Sequence, residues 1–394
     1  MKVLHISVND FMGAGLSALR INDSLQKLGI DSKMLVMLKH SDNETVFQTG
    51  KCTYFFQAII NRFLYVLNLT FTDSSKCFKL SRKNFSIYSL PISNLDLSEH
   101  PLVKEADIIH LHWINGFIDQ PSFFEKVKKP MVWTLHDENL FYGIAHYESS
   151  VLNENFLERK YNDIKIESIK KINNLGIVFL SEYFFDKYSE SERISNALKC
   201  IIYNSVDYRK YKPFNKNVAR EEMGLNKDDI FILFIAYDIT EQRKGLDKLI
   251  KALKVLNCNE IKILAIGKCD NFIGDSKVIT LGPINTPLEM SKAISSADIF
   301  VMPSLHEAFA QAPIEAMACG LPVVAFPVSG TKELINESNG IVCEGFTVDD
   351  LVSGIRIVLS RQYDNFAIRE NIIQRFSPKV IAENYLSFYN KLLN

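Results

Sequence analysis

The chain has 394 residues, more than one ordinary hydrophobic core accommodates, so two domains are expected. Apolar residues make up 47% and charged residues 23%, the balance of a soluble globular protein. The formal net charge of −1 argues against bulk nucleic-acid binding.

The chain opens Met1-Lys2-Val3-Leu4-His5-Ile6-Ser7-Val8, which reads as a strand and lacks the apolar core and cleavage site of a signal peptide. A reduced, cytoplasmic setting is the expectation. The seven cysteines are scattered without a Cys-x-x-Cys pair, so neither a zinc site nor a disulfide framework is indicated. After the first strand comes Asn9-Asp10-Phe11-Met12-Gly13-Ala14-Gly15. Glycines between a strand and a helix let backbone approach a ligand, although Ala18 breaks the Gly-x-Gly-x-x-Gly fingerprint. Tyr54 to Phe71 is apolar but carries Gln57, Asn61, Arg62 and Asn68, so it is a poor spanning segment. A largely buried amphipathic helix is expected there, ahead of a membrane-surface contact.

Strand-like runs alternate with helical patterns almost throughout. The strand candidates of the first half are Val3–Val8, Lys33–Leu38, Ile108–His112, Met131–His136, Gly176–Leu180 and Cys200–Tyr203. Those of the second half are Ile230–Ala236, Ile261–Ile266, Val278–Leu281, Ile299–Met302, Val323–Phe326 and Gly340–Cys343. Helical patterns cover Gly15–Leu28, Glu154–Ile172, Leu246–Leu256, Leu288–Ser296, Asp349–Leu359 and Pro378–Leu392. Such alternation predicts α/β architecture with two doubly wound, Rossmann-like parallel sheets. The turn Asn204-Ser205-Val206-Asp207 and the polar stretch after it divide the chain into residues 1–205, residues 206–377 and a final helix, 378–394. A ligand is expected in the cleft between the carboxyl ends of the two sheets.

Four constellations then carry chemistry. His110 and His112 alternate on one strand with Trp113 after them, and Trp133-Thr134-Leu135-His136-Asp137 end another; an imidazole at a strand end can donate or accept near a sugar. His110 and His112 resemble a metal pair only superficially, because no carboxylate or third His follows at ligand spacing. Arg243 and Lys244 precede Gly245 on a strand-to-helix loop, where two cations can neutralise a diphosphate and stabilise it as a leaving group. The run from Pro303 to Pro322 places Glu307 on a loop above a strand end. It places Glu315 in the first turn of a helix that opens at Pro313 and stops at Gly320 and Pro322. The N–H groups of Ala308 to Ala312 are expected to face an anion there. Two carboxylates beside an anion site suit a ligand with both phosphates and hydroxyls, such as a nucleotide sugar. Gly267 and the Gly282-Pro283-Ile284 turn mark two further loops of the same rim.

Taken together these residues resemble the retaining glycosyltransferases of family 4, which have the two-domain GT-B fold. The resemblance covers nearly the whole chain and is carried most strongly by Glu307, Glu315 and the following Ala-Met-Ala-Cys-Gly-Leu-Pro-Val-Val-Ala. The His-Trp-Ile-Asn-Gly and Trp-Thr-Leu-His-Asp segments are similar to a subgroup from bacterial surface-polysaccharide clusters, of colanic acid and O-antigen type. The resemblance implies front-face transfer with retention, without metal or other cofactor, from a UDP or GDP sugar to a glycan or lipid-linked glycan. It implies that Glu315 binds the ribose and that Glu307 binds the donor sugar. Lys244, with Arg243, would bind the diphosphate. Backbone at Ala308, Phe309, Ala310 and Gln311 would touch phosphate and sugar. His136 would lie over the donor sugar near its anomeric region, and Gly13, Ala14 and Gly15 would close on the diphosphate. Peripheral contact with the cytoplasmic face of an inner membrane would suit such an acceptor.

The chain departs from the family pattern in four places. Ala310 stands for the usual glycine, Ser205 for the glycine of the interdomain turn, and Ile239 occupies the usual Gly-Arg position. A Gly-Gly pair is reduced to Gly143-Ile144 before His146. Two other readings compete: a nucleotide-sugar-processing epimerase or phosphorylase on the same fold, and a non-catalytic sugar-binding protein.

Overall fold

A computed structural model describes residues 1–84, 86–270, 272–307 and 309–394, excepting the side chains of residues 51–54. The chain divides into two compact units. One comprises Met1–Leu180, Phe184–Tyr203 and Ile381–Asn394, the other Ser181–Tyr183 and Asn204–Val380.

The first unit holds β1 (Lys2–Asn9), β2 (Asp31–Leu38), β3 (Val46–Gln48), β4 (Ile108–Leu111), β5 (Met131–Thr134), β6 (Leu175–Phe179) and β7 (Leu198–Ile201). They form one sheet in the order β3-β2-β1-β4-β5-β6-β7, parallel at every pairing. Every residue of β4, β5 and β6 is buried, as expected for strands covered on both faces. The pairings Ile6↔Leu111 and Leu111↔Trp133 align the carboxyl ends of β1, β4 and β5. His112 and His136 therefore leave the sheet at one edge. Both lie just beyond their strands, which stop one and two residues earlier than the sequence pattern suggested. The three-residue edge strand β3 is too short to show a period and was not anticipated.

The second unit holds β8 (Ile230–Asp238), β9 (Ile261–Lys268), β10 (Val278–Gly282), β11 (Ile299–Met302), β12 (Val323–Ala325) and β13 (Gly340–Val342). Their order is β10-β9-β8-β11-β12-β13, again parallel throughout. One face is covered by the helices Leu246–Leu256 and Val348–Ser360. Leu249, Leu253, Leu351 and Ile355 of these helices pack on Phe234, Ile263, Val301 and Val324.

The last helix, Pro378–Leu393, returns to the first sheet. Its buried residues Ile381, Tyr385, Phe388, Tyr389 and Leu392 recur at helical spacing and pack with Val3, Leu25, Ile108, Val132 and Val178. Two of its hydroxyls reach buried polar groups. Tyr389 Oη lies 2.7 Å from His110 Nδ1, and Tyr385 Oη 3.0 Å from Thr134 Oγ1.

Two expectations need correction. The helix Lys51–Val66 is not largely buried: Phe56, Ile59, Phe63 and Val66 are 68%, 66%, 63% and 75% exposed, while Asn61 is 8% exposed. Its polar side is the inner one. Asn61 Nδ2 donates to Ser74 Oγ at 2.9 Å, on the neighbouring helix Asp73–Asn84, and Gln57 Nε2 donates to Asn61 Oδ1 at 3.1 Å. These hydrogen bonds, with Tyr65 set edge-on to Phe78 at 5.8 Å, dock the helix and leave Phe56, Ile59, Phe63 and Val66 outward. Among the described residues, no helix is long and apolar enough to cross a membrane. Second, the helix after β11 is Gln311–Ala318 and begins two residues before Pro313, so Glu315 falls in its second turn.

Candidate functional site

In the second unit, β8 leads into the turn Gln242–Lys244, and Gly245 follows with φ +77°. A Cβ at Gly245 would lie 2.2 Å from the carbonyl oxygen of Pro303, just beyond β11. Glycine thus lets the loop press on the end of β11, and Leu305 N donates to Arg243 O at 2.8 Å. That contact brings Arg243, Lys244 and Glu307 together. Lys244 Nζ donates to Glu307 Oε1 at 2.6 Å, and Arg243 Nη1 lies 3.6 Å from the same oxygen. Arg243 is itself held, donating from Nη1 to His306 O at 2.7 Å and from Nε to Glu241 Oε1 at 2.9 Å. Burial raises the Glu307 carboxyl. The charges of Lys244 and Arg243, with hydrogen bonds from Lys244 and Ser304, outweigh it and hold Glu307 below the usual carboxylate range.

The neighbouring candidates divide by role. Ala310 is the N-cap of the helix Gln311–Ala318 and makes no side-chain cap hydrogen bond. Phe309 is buried beside Phe376, ring centroids 6.3 Å apart, so its side chain serves packing. Ala308 lies outside the described residues. Glu315 is buried within the helix that leaves β11. Gly267 lets β8 and β9 close together, since a Cβ there would lie 2.0 Å from Ala236 O. Pro283 follows border strand β10, three strands from β11 and roughly 14 Å away at ordinary strand spacing, so it stands apart from Glu307. Ile239 is buried in the core. A cavity of about 480 Å³, lined by Ile230, Ile299 and Pro322, lies at the amino ends of the strands, away from Lys244 and Glu307.

In the first unit, Gly13 opens the helix Gly13–Lys27. A Cβ on Gly13 would meet nothing within 4 Å, whereas one on Gly15 would lie 2.1 Å from Asn9 O. Gly15 therefore serves close packing, and Gly13 borders open space. The loop is rigidly built: Asn9 Oδ1 accepts from Met12 N at 2.8 Å, and Asp10 accepts from His40 N, Ser41 N and Ser41 Oγ.

The edge at β4 and β5 is a buried polar network. Asp137 Oδ2 accepts from Trp113 Nε1 at 3.0 Å and lies 2.6 Å from His146 Nδ1, while His146 Nε2 is 2.6 Å from Ser89 Oγ. Burial raises Asp137, but His146 and the backbone N–H of Asn139 outweigh it and hold the carboxyl low. The loop carrying Asp137 and His146 is gripped by two side chains of the helix Phe156–Ile169. Glu158 accepts from the N–H groups of Gly143, Ile144 and Ala145, and Lys165 donates to the carbonyls of Asn139 and Tyr142. Burial pushes the Lys165 ammonium down to about 7, with the nearby charge of Arg193 adding to it. Gly143 permits this grip, for a Cβ there would lie 1.9 Å from Glu158 O. Sequence reasoning missed Ser89, Glu158 and Lys165, which no local pattern connects.

It also missed His5, which β1 brings beside His110 and His112. The three rings place one nitrogen each within 4.8 Å. All but one of their ring nitrogens are taken up in hydrogen bonds. His110 is bonded through Nδ1 to Tyr389 and through Nε2 to Thr134, and His112 through Nε2 to His5 and through Nδ1 to His136. Only His5 Nε2 has no partner among the described residues.

Residues 215–375 match the family described as glycosyl transferases group 1. An uncharacterised glycosyltransferase from Methanocaldococcus jannaschii is 27% identical over 313 residues, covering 73% of this chain and 76% of the relative. Anabaena HepE in complex with UDP-glucose superposes with a TM-score of 0.66 at 16% identity, covering 99% of this chain and 100% of HepE. The chain is a glycosyltransferase of the GT-B fold. This glycosyltransferase is also 24% identical over 247 residues to the N,N'-diacetylbacillosaminyl-diphospho-undecaprenol alpha-1,3-N-acetylgalactosaminyltransferase of Campylobacter jejuni. That match covers 57% of the chain and 64% of the relative, just under two thirds of its length.

The buried imidazoles set the acid limit of the first unit. Burial lowers His5 to about 3 and His136 to about 4, and depresses His110 and His112 well below 6.5. The unfolded chain then binds more protons than the folded one as the pH falls through 6.5. The contribution of these rings is fully present above pH 6.5 and is lost on acidification toward pH 4. Thermal melts from pH 7.5 to pH 4.5 should show a steadily falling midpoint, with a shallower slope in His5→Phe; equal slopes in the two proteins would contradict this.

Proposed function

We propose that this glycosyltransferase moves one sugar from a nucleoside-diphosphate donor to a hydroxyl of a lipid-linked glycan, with retention of anomeric configuration. The observation that carries the reading is the pair of cations beside Glu307 at the carboxyl edge of β8 and β11. In this reading Lys244 and Arg243 neutralise the departing diphosphate, taking the part that a metal plays in other transferases. Glu307 holds hydroxyls of the donor sugar and Glu315 those of the ribose. Backbone from Phe309 to Gln311 meets phosphate at the start of the helix Gln311–Ala318. The departing diphosphate assists deprotonation of the acceptor, so no side chain serves as a covalent nucleophile. The first unit contributes His136, with Trp113, Asp137 and His112 behind it as the scaffold for sugar contacts.

Support for the donor comes from the UDP-glucose bound by Anabaena HepE, and for the acceptor from the undecaprenol-linked sugar in the name of the Campylobacter jejuni relative. A place in the assembly of bacterial surface polysaccharide, O-antigen or capsule, agrees with that acceptor and with a cytoplasmic enzyme. Transfer can be followed as radiolabel passing from UDP-hexoses and GDP-hexoses into a detergent-solubilised lipid extract. Lys244→Ala and Glu307→Ala should each lower kcat by about 10²–10³. Transfer at the parental rate by either variant would overturn the reading.

The same reading places the enzyme on a membrane through the helix Lys51–Val66. Its outward Phe56, Ile59, Phe63 and Val66 form one apolar stripe, and Phe71 beyond it is exposed as well. Arg62, Arg82 and Lys83 are exposed on this helical pair and would meet anionic headgroups. Vesicles containing anionic phospholipid should sediment the enzyme at low salt, less so at high salt. Phe56→Asp combined with Phe63→Asp should abolish sedimentation while leaving the circular dichroism spectrum unchanged. Equal sedimentation of both proteins would remove the helix from the account.

A further inference from the structure

Three imidazoles run in a hydrogen-bonded row from the core of the first sheet to its carboxyl edge. His5 Nδ1 lies 3.0 Å from His112 Nε2, and His112 Nδ1 lies 3.0 Å from His136 Nε2. His5 and His112 are buried; His136 is partly open. The middle ring, His112, is packed between other imidazoles, stacked on His5 and tilted against His110. His112 lies 4.1 Å from His110 and 5.2 Å from His5, centroid to centroid, with interplanar angles of 33° and 25°. Burial keeps all three neutral at neutral pH. A neutral ring carries one N–H and one lone pair. A row of such rings can therefore point in only two directions, since each ring that donates to its neighbour must accept from the one behind it.

The inner end decides between them. His5 Nε2 is buried and has no hydrogen-bond partner among the described residues. If the row pointed inward, this nitrogen would carry an N–H with nothing to receive it. Orphaned buried N–H groups are rarer than buried acceptors left short of a donor. The outward direction leaves only a lone pair there. His5 Nδ1–H then donates to His112, and His112 Nδ1–H donates to His136 Nε2. The proton of His136 is displaced to Nδ1, which has no bond to the described residues.

We propose that His5 and His112 are positioning residues that fix His136 as its Nδ1–H tautomer, so that it meets the substrate as a hydrogen-bond donor rather than as a base. Its ligand is an oxygen acceptor, a sugar hydroxyl or a phosphate oxygen. The tautomer follows from the first unit alone, whereas its use in transfer rests on the reading proposed above.

Long-range proton–nitrogen correlation spectra of the ¹⁵N-histidine-labelled enzyme, without substrate, separate N–H nitrogens from lone-pair nitrogens in each ring. The expected spectrum shows His136 protonated at Nδ1 and bare at Nε2. In His5→Phe the row loses its inner donor, so His136 should become a mixture of tautomers and kcat should fall about tenfold with KM little changed. His5→Asn, whose Nδ2–H takes the place of the imidazole Nδ1–H and can still donate to His112, should restore both the spectrum and the rate. A wild-type His136 protonated at Nε2, or a His5→Phe spectrum identical to wild type, would overturn the proposal. A correct tautomer with unchanged kcat in His5→Phe would spare the hydrogen-bond assignment and remove its role in transfer.

Discussion

The 2.6 Å approach of Lys244 to Glu307 depends on a backbone contact that glycine alone permits. Gly245 sits at φ +77°, with the Pro303 carbonyl where a side chain would begin. The cationic loop after β8 is thereby pressed against the loop after β11. Parallel sheets make this possible, because the loops that follow the strands all leave at the same carboxyl edge. The carboxylate and the two cations share one neighbourhood, and each limits the others. Lys244 and Arg243 keep Glu307 ionised despite its burial, and Glu307 with Glu241 keeps both cations aimed. A diphosphate arriving there would meet charges already in position, the condition under which electrostatic stabilisation of a leaving group is most effective.

The first unit solves a different problem with the same architecture. It buries four histidines, an aspartate and a lysine that a core of this size would ordinarily exclude. Their partners come from distant elements: Tyr389 of the last helix meets His110, Ser89 meets His146, the carbonyls of Asn139 and Tyr142 receive Lys165, and His5 of β1 meets His112, with His5 Nε2 left over. Buried networks of this kind are stable only when nearly complete. The outward end of one of them is His136, so a side chain at the edge is oriented by groups deep in the fold.

Most of the fold was legible in the sequence, since alternating buried strands and amphipathic helices leave strong periods. Twelve of the strands were anticipated; β3 escaped because three edge residues have no period to read. The pairing of Lys244 with Glu307 was legible because both flank strand ends with glycine or proline beside them. The histidine row was not, because His5 and His112 are 107 positions apart and only the β1–β4 register joins them. The helix Lys51–Val66 misled for a physical reason. Its periodicity is that of an amphipathic helix, but periodicity does not say which face turns inward, and Asn61 with Ser74 reverses the usual answer.

The central claim is that the second unit binds a nucleoside diphosphate through side-chain cations. Its most direct test is thermal stabilisation of the whole protein by UDP, GDP, ADP and dTDP, each measured with Mg²⁺ and with EDTA. A ligand that binds only the folded state must raise its apparent stability, by about 2.7 kcal/mol at one hundred times Kd. The account predicts selective stabilisation by one diphosphate, equal in Mg²⁺ and EDTA and absent in Lys244→Ala. Stabilisation that disappears in EDTA, or no response to any of the four, would contradict it.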